Sequence, residues 1–255
     1  MKIITLIENT TTRDDLTAEH GLSLYIETGD LRILFDAGES GAFAVNGQKL
    51  GADLTQVAFA VLSHAHHDHG NGLSTFLGIN KTAPVYLRNR AFDLRYNAKG
   101  KYIGVDPGLN GCPRLRFTGE TTQLAEGVAL HTIPMPPEDT AGMTVRKEGV
   151  PVPEDFSHEQ YLLVEEAGKR ILFSGCSHKG IRSIAKYFQP DVLIGGFHFM
   201  NVEDEAFLKD AAAELLQYNT VYYTGHCTGE KQYAIMKKVM GDRLHYLATG
   251  SSLIL

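Results

Sequence analysis

The chain has 255 residues, 43% hydrophobic and 21% charged, with 24 basic against 30 acidic side chains and a net charge of −6. This is the make-up of a soluble globular protein able to bury a sizeable core, and without a basic tract it gives no charge signature for nucleic acid or a membrane surface. No run approaches the roughly 20 apolar residues of a membrane span, the apolar run 3–7 is too short for a signal-peptide core, and the odd set of three cysteines argues against a disulfide framework, so a cytoplasmic location is expected.

In chain order, residues 3–8 read as a strand, and 22–28 with 31–36 as a hairpin about Gly29-Asp30, a favourable tight-turn pair. The compact apolar run 57–63 predicts a buried strand. A helix starts at 72–77, and strands follow at 84–87, 115–117 and 128–133. Residues 135–156 read as a long proline-punctuated loop, of the kind that forms lids and binding loops. Beyond it the pattern alternates: a hairpin of 161–165 and 170–173, helix 181–188, strand 192–194, helix 203–217, strand 220–223, helix 231–239 and strand 244–248. Both halves therefore contain hairpins followed by strand–helix units. That predicts a mixed α/β (α+β) protein of two similar halves packed as a layered sandwich in one domain, 1–255, and not a doubly wound parallel sheet.

The segment Ser63-His64-Ala65-His66-His67-Asp68-His69-Gly70 directly follows a buried strand. Imidazole and carboxylate are the preferred ligands of zinc, iron and manganese. His64 and His66, two apart, point to one side of an extended segment. Asp68 and His69 come as the chain turns toward the helix and reach a second position, so two ions about 3.5–4 Å apart could share a bridging hydroxide. His67 is expected to be a surface or supporting group. Four further motifs lie at strand ends: His158, Gly175-Cys176-Ser177-His178, Gly195-Gly196-Phe197-His198 and Gly225-His226-Cys227. Their recurrence after successive strands favours convergence on one site, and their glycines suit close backbone approach.

His64, His66, Asp68 and His69 match the H-x-H-x-D-H signature, and here the chain resembles the metallo-β-lactamase superfamily. The resemblance implies a four-layer αββα sandwich with a binuclear site at the edge of two β-sheets. It makes His158 the third histidine of the ligand set and His226 the last. Where the superfamily usually has a bridging aspartate in a Gly-Asp pair, this chain has Gly175-Cys176. Three alternatives stay open: a Cys176 thiolate ligand, His178 reaching in instead, or a weak or absent second metal. Ile7-Glu8-Asn9, Glu19-His20-Gly21-Leu22-Ser23 and the strand-end motifs together resemble the dihydropterin-type branch, whose namesake is a 7,8-dihydropterin-6-methyl-4-(β-D-ribofuranosyl)aminobenzene-5′-phosphate synthase.

The expected function is that of a metal-dependent hydrolase acting on a small, phosphorylated or pterin-like substrate through a metal-activated water. Its metal ligands would be His64, His66, Asp68, His69, His158, Cys176 and His226, holding zinc in two sites, with manganese or iron as substitutes. Asp68 and His178 are the expected catalytic residues, and His20, His198 and Lys179 the expected substrate contacts. The alternatives are a dihydropterin-phosphate synthase-type transferase and a di-iron or cysteine-containing redox sensor. The expected partner is a small-molecule substrate, with no nucleic acid and no membrane; homo-oligomer formation is left open.

Overall fold

The computed structural model describes residues 1–11 and 13–255. They divide into two compact units: Met1–Gly119 with Asp139–Gln160 and Ala248–Leu255, and Glu120–Glu138 with Tyr161–Leu247.

In the first unit, Gly29 takes φ +51°, a left-handed conformation that costs glycine nothing, and turns the chain between the antiparallel strands Ser23–Thr28 and Leu31–Phe35. Among the described residues these belong to a seven-stranded sheet in the order Ser252–Ile254, Lys2–Ile7, Ser23–Thr28, Leu31–Phe35, Phe59–Val61, Val85–Arg88, Leu115–Thr118. From Leu31–Phe35 onward the strands run parallel. All of Phe59–Val61 is buried, as an unbroken apolar run requires. Helices Ala42–Leu50 and Leu73–Ile79 contribute Phe43 and Phe76 to the core beside Leu34, Ala60 and Val85. Phe35 pairs with Val61, so the residues just past both strands, Asp36 and the segment 62–66, lie side by side. The Asp36 N–H donates to the Val61 carbonyl at 2.9 Å. This register positions the site.

Several elements depart from the sequence expectation, among them the short strands Thr121–Ala125 and Ser252–Ile254. The helix Ala42–Leu50 was not anticipated; Gly47 interrupts its apolar pattern and lowers its propensity. The segment 135–156 is not a bare loop, because Thr144–Lys147 and Val150–Pro153 form a hairpin that turns at Glu148 and Gly149, both at positive φ, and Arg95–Tyr96 joins it as a third strand. Pro151 and Pro153 disguised it. Their strand lies at the edge of this small sheet, where a missing N–H breaks no ladder.

The second unit carries, among the described residues, a seven-stranded sheet ordered Leu244–Tyr246, Val221–Thr224, Val192–Ile194, Lys169–Phe173, Tyr161–Glu166, Val128–His131, Thr121–Ala125. Lys169–Phe173, Val192–Ile194, Val221–Thr224 and Leu244–Tyr246 are mutually parallel. Helix Ile181–Phe188 buries Ile181, Ile184, Ala185 and Phe188, the i, i+3, i+4, i+7 stripe of an amphipathic helix. Helix Glu205–Leu215 starts at Asp204, whose carboxylate accepts from the Ala206 and Phe207 N–H groups, and it buries Leu208, Ala211, Ala212 and Leu215. Helix Glu230–Met240 adds Ile235, Met236 and Met240 to the same core. No helix among the described residues is long and apolar enough to cross a membrane.

Candidate metal centre

In the first unit His64, His66, Asp68 and His69 sit between the strand Phe59–Val61 and the helix Leu73–Ile79, with a single helical turn at His67–Gly70. The His64 ring lies 4.6 Å from His66 and 4.2 Å from His69, centroid to centroid, and all three are buried. What orders them is Asp36, fully buried and held at φ +57°. Its Oδ1 accepts the Ser63 N–H, and its Oδ2 accepts the Ser63 hydroxyl and pairs with His69 Nδ1, each at 2.7 Å. The Ser63 hydroxyl, which donates to Asp36, in turn meets His64 Nδ1 at 2.9 Å. Both imidazoles are thus assigned a proton on Nδ1 and a lone pair on Nε2. A carboxylate behind a histidine is the arrangement that orients imidazole ligands of metals and raises their basicity. The residues fit a borderline cation such as zinc, because two neutral imidazoles present Nε2 lone pairs within one cluster and a carboxylate stands beside them.

That carboxylate is Asp68. Its Oδ2 lies 3.7 Å from His69 Nε2 and 3.3 Å from His20 Nε2. The Asn9 amide approaches His20 Nδ1 at 3.3 Å, which leaves the His20 proton on Nε2, toward Asp68. Gly21 makes the approach of this segment feasible, since a Cβ there would collide with the Asp68 carbonyl. His67, as expected, stands apart; its Nδ1 is 3.3 Å from the partly exposed Glu39 carboxylate. The expected third histidine, His158, is also here, with its ring 5.4 Å from His66 and 6.0 Å from His64. Its tautomer, however, is reversed. Nδ1 accepts the Ala65 N–H at 2.8 Å, so the neutral ring carries its proton on Nε2, 3.8 Å from Glu154 Oε1. In this geometry His158 braces the histidine loop, and serving as a ligand through Nε2 would require that hydrogen bond to be given up. Glu154 itself is buried against Arg95, Nε to Oε2 3.1 Å; burial pushes its carboxyl up despite the guanidinium, and pushes Arg95 down.

In the second unit the donors follow the carboxyl ends of three adjacent parallel strands: Cys176 and His178 after Lys169–Phe173, His198 after Val192–Ile194, and His226 and Cys227 after Val221–Thr224. One ligand atom from each of Cys176, His198 and Cys227 lies within 4.8 Å of the others. The His178 and His198 rings are 4.3 Å apart. Burial pushes the Cys227 thiol up, but contacts with Cys176 and His198 and the charges of His226 and His198 outweigh it, holding the thiol well below its ordinary range. Lys179, expected to face substrate, instead donates to the Ile133 and Met135 carbonyls at 3.1 and 3.0 Å and ties down that segment.

The sequence profile of the metallo-β-lactamase superfamily matches residues 16–226. The chain belongs to the metallo-β-lactamase superfamily. A solved structure described as a metal-dependent hydrolase of the β-lactamase superfamily has a TM-score of 0.82 and 26% identity, over 100% of this chain and 99% of that one. Zinc-bound PqqB from Methylobacterium extorquens, at 13% identity and TM-score 0.63 over 100% of both chains, shares the fold. Among curated relatives, an uncharacterized protein of Methanocaldococcus jannaschii is 26% identical over 236 residues, covering 89% of this chain and 90% of its own. A 7,8-dihydropterin-6-methyl-4-(β-D-ribofuranosyl)-aminobenzene-5′-phosphate synthase of the same organism is 27% identical over 260 residues, covering 89% and 88%. The resemblance read from the sequence and the expected mixed α/β fold therefore hold.

Metallo-β-lactamase superfamily proteins typically bind metal ions, and this chain carries candidate His, Cys and Asp ligand groups. Asp36 escaped the sequence reading, and Cys227 entered it only as part of a strand-end motif, not as a site residue. Asp36 left a signal, an ionisable residue directly after a buried apolar strand in Phe35-Asp36-Ala37-Gly38. Cys227 left less, since a cysteine beside a histidine is as often a small buried hydrophobe.

Proposed function

We propose that this protein is a metal-dependent hydrolase whose ion, zinc in the first instance, is held by His64, His66, Asp68 and His69. The observation that supports it most directly is the Asp36 carboxylate, which fixes His69 through Nδ1 and His64 through the Ser63 hydroxyl, so that both rings offer Nε2. When bound, such an ion supplies Lewis acidity and a water that ionises near neutral pH. The chain's own residues do the rest. Asp68 takes up and passes on the proton of the attacking water, and His20, with its Nε2 proton directed at Asp68 Oδ2, steadies that carboxylate in its ionised form. The buried rings of His64, His66 and His69 exclude bulk water from one side of the cluster.

The substrate class proposed is a small phosphorylated or pterin-like molecule in the cytoplasm, a reading supported by the name of the synthase relative. That same name favours a second reading, transfer onto a pterin instead of hydrolysis. The deciding experiment loads the metal-free chain with Zn²⁺ or Mn²⁺, measures bound metal, and assays esters, lactones, phosphodiesters and a dihydropterin diphosphate, the last with and without a ribofuranosyl-aminobenzene phosphate acceptor. Turnover of the first three, or phosphate release from the last, supports hydrolysis. A coupled pterin product supports transfer. Metal-loaded protein inert to all of them overturns both.

A further inference from the structure

Outside the histidine loop, the second unit holds a donor set of a different chemical character. Cys176 and Cys227 are each 3% exposed, and their sulfurs and a His198 ring nitrogen lie mutually within 4.8 Å. The arrangement is built. The Cys227 sulfur accepts the His198 backbone N–H at 3.3 Å, and its S–H meets the Cys176 carbonyl at 3.6 Å. Met200 N–H donates to the Cys227 carbonyl at 2.9 Å, and Phe197 N–H to the Thr228 hydroxyl at 2.9 Å. Position 196 must be glycine, because a Cβ there would strike the Cys227 sulfur. Each of the three donor loops also holds a non-glycine residue in the left-handed region: Ser177 at φ +59°, His198 at +58° and His226 at +49°. Side chains with a Cβ are disfavoured in that region, and strain of this kind gathers at ligand clamps.

We propose that Cys176, Cys227 and His198 form a thiolate-rich metal site within the second unit, taking a thiophilic cation of the zinc class. Two thiolates and an imidazole are three of the four donors of a closed tetrahedral zinc site, softer than anything the histidine loop offers. His178, buried with its ring 4.3 Å from that of His198, offers a fourth donor. Any proton carried by Cys176 or Cys227 would leave to solvent as the ion enters, so binding releases protons to the extent that the thiols still hold them.

The test is a titration of the full-length, metal-free, reduced chain with Co²⁺ under anaerobic conditions. The site predicts an intense near-ultraviolet sulfur-to-cobalt charge-transfer band. C227S and C176S should each lose most of it and bind one equivalent fewer of metal. H198Q, which leaves the backbone N–H in place, should weaken Co²⁺ binding at the band by about 10–100-fold, and it serves if a cysteine variant fails to fold. H64N should keep the band while losing the weakly absorbing ion of the histidine loop, which separates failure of this site from failure of the proposed hydrolase. Absence of the charge-transfer band in the wild-type chain, or full retention of band and stoichiometry in folded C227S, overturns the assignment.

Discussion

Replacing Asp36 by asparagine asks whether one buried carboxylate decides which nitrogen of His69 is available. Asp36 accepts from the Ser63 N–H on Oδ1, and from the Ser63 hydroxyl and His69 Nδ1 on Oδ2, at 2.7 Å each. Asparagine has one acceptor oxygen and one NH₂ group. If its oxygen stays on the Ser63 N–H, the NH₂ faces His69 Nδ1 and is satisfied only when that nitrogen gives up its proton. The ring then moves its proton to Nε2 and loses the lone pair. Removing such a supporting partner costs about 10–100-fold in metal affinity, equivalent to about 1.4–2.8 kcal/mol. The two hydrogen bonds to charge that are lost are worth about 1.5–3 kcal/mol each, and relief from burying a carboxylate offsets much of this. The metal-free variant should therefore be only about 1–3 kcal/mol less stable. The assay is competition for Zn²⁺ against a chromophoric chelator, with urea unfolding of the metal-free chain in parallel. A folded D36N that binds Zn²⁺ with wild-type affinity would refute the tautomer argument.

Three other outcomes are expected. H20N should leave bound metal unchanged but lower kcat about 10-fold, less than the 10²–10⁴ of a group that moves the proton itself; a kcat equal to wild type would remove His20 from the mechanism. R95M leaves the buried Glu154 carboxyl without its partner and should destabilise the chain by about 3–5 kcal/mol in urea unfolding, with a loss below about 1 kcal/mol contradicting the buried-pair reading. Lys147, at 2.9 Å, together with the Ser157 hydrogen bonds, outweighs burial and holds the Asp155 carboxyl far below the usual range. The folded chain binds fewer protons there than the unfolded one, so this contribution is present above the ordinary carboxylate pKa of about 3.9 and is lost as pH falls through the depressed value. K147M should flatten the acid limb of stability measured between about pH 2 and 6, and an unchanged acid limb would count against it.

Much of this protein could be read from local pattern. The hairpin about Gly29-Asp30, the helix Ile181–Phe188 and the strand Val192–Ile194 carry signals that close within a few residues, and all three occur where periodicity and turn chemistry put them. The cluster His64, His66, Asp68 and His69 was legible for the same reason, because ligand type and spacing lie on one loop. The hairpin Thr144–Lys147 with Val150–Pro153 was not, since its prolines read as breakers until the edge position excused them. The tautomers of His69 and His158 were hidden altogether. Each depends on a partner far away in sequence: Asp36 for His69, 33 positions off, and Ala65 for His158, 93 positions off.

Residue identity and hydrophobic period are local properties, so the order of residues along the chain already names the kinds of donor atom and the strand ends they occupy. Which nitrogens present lone pairs, and that the Cys227 sulfur comes close to that of Cys176, follow from folding, because hydrogen-bond partners are assigned by the register between strands, which chain order leaves unspecified.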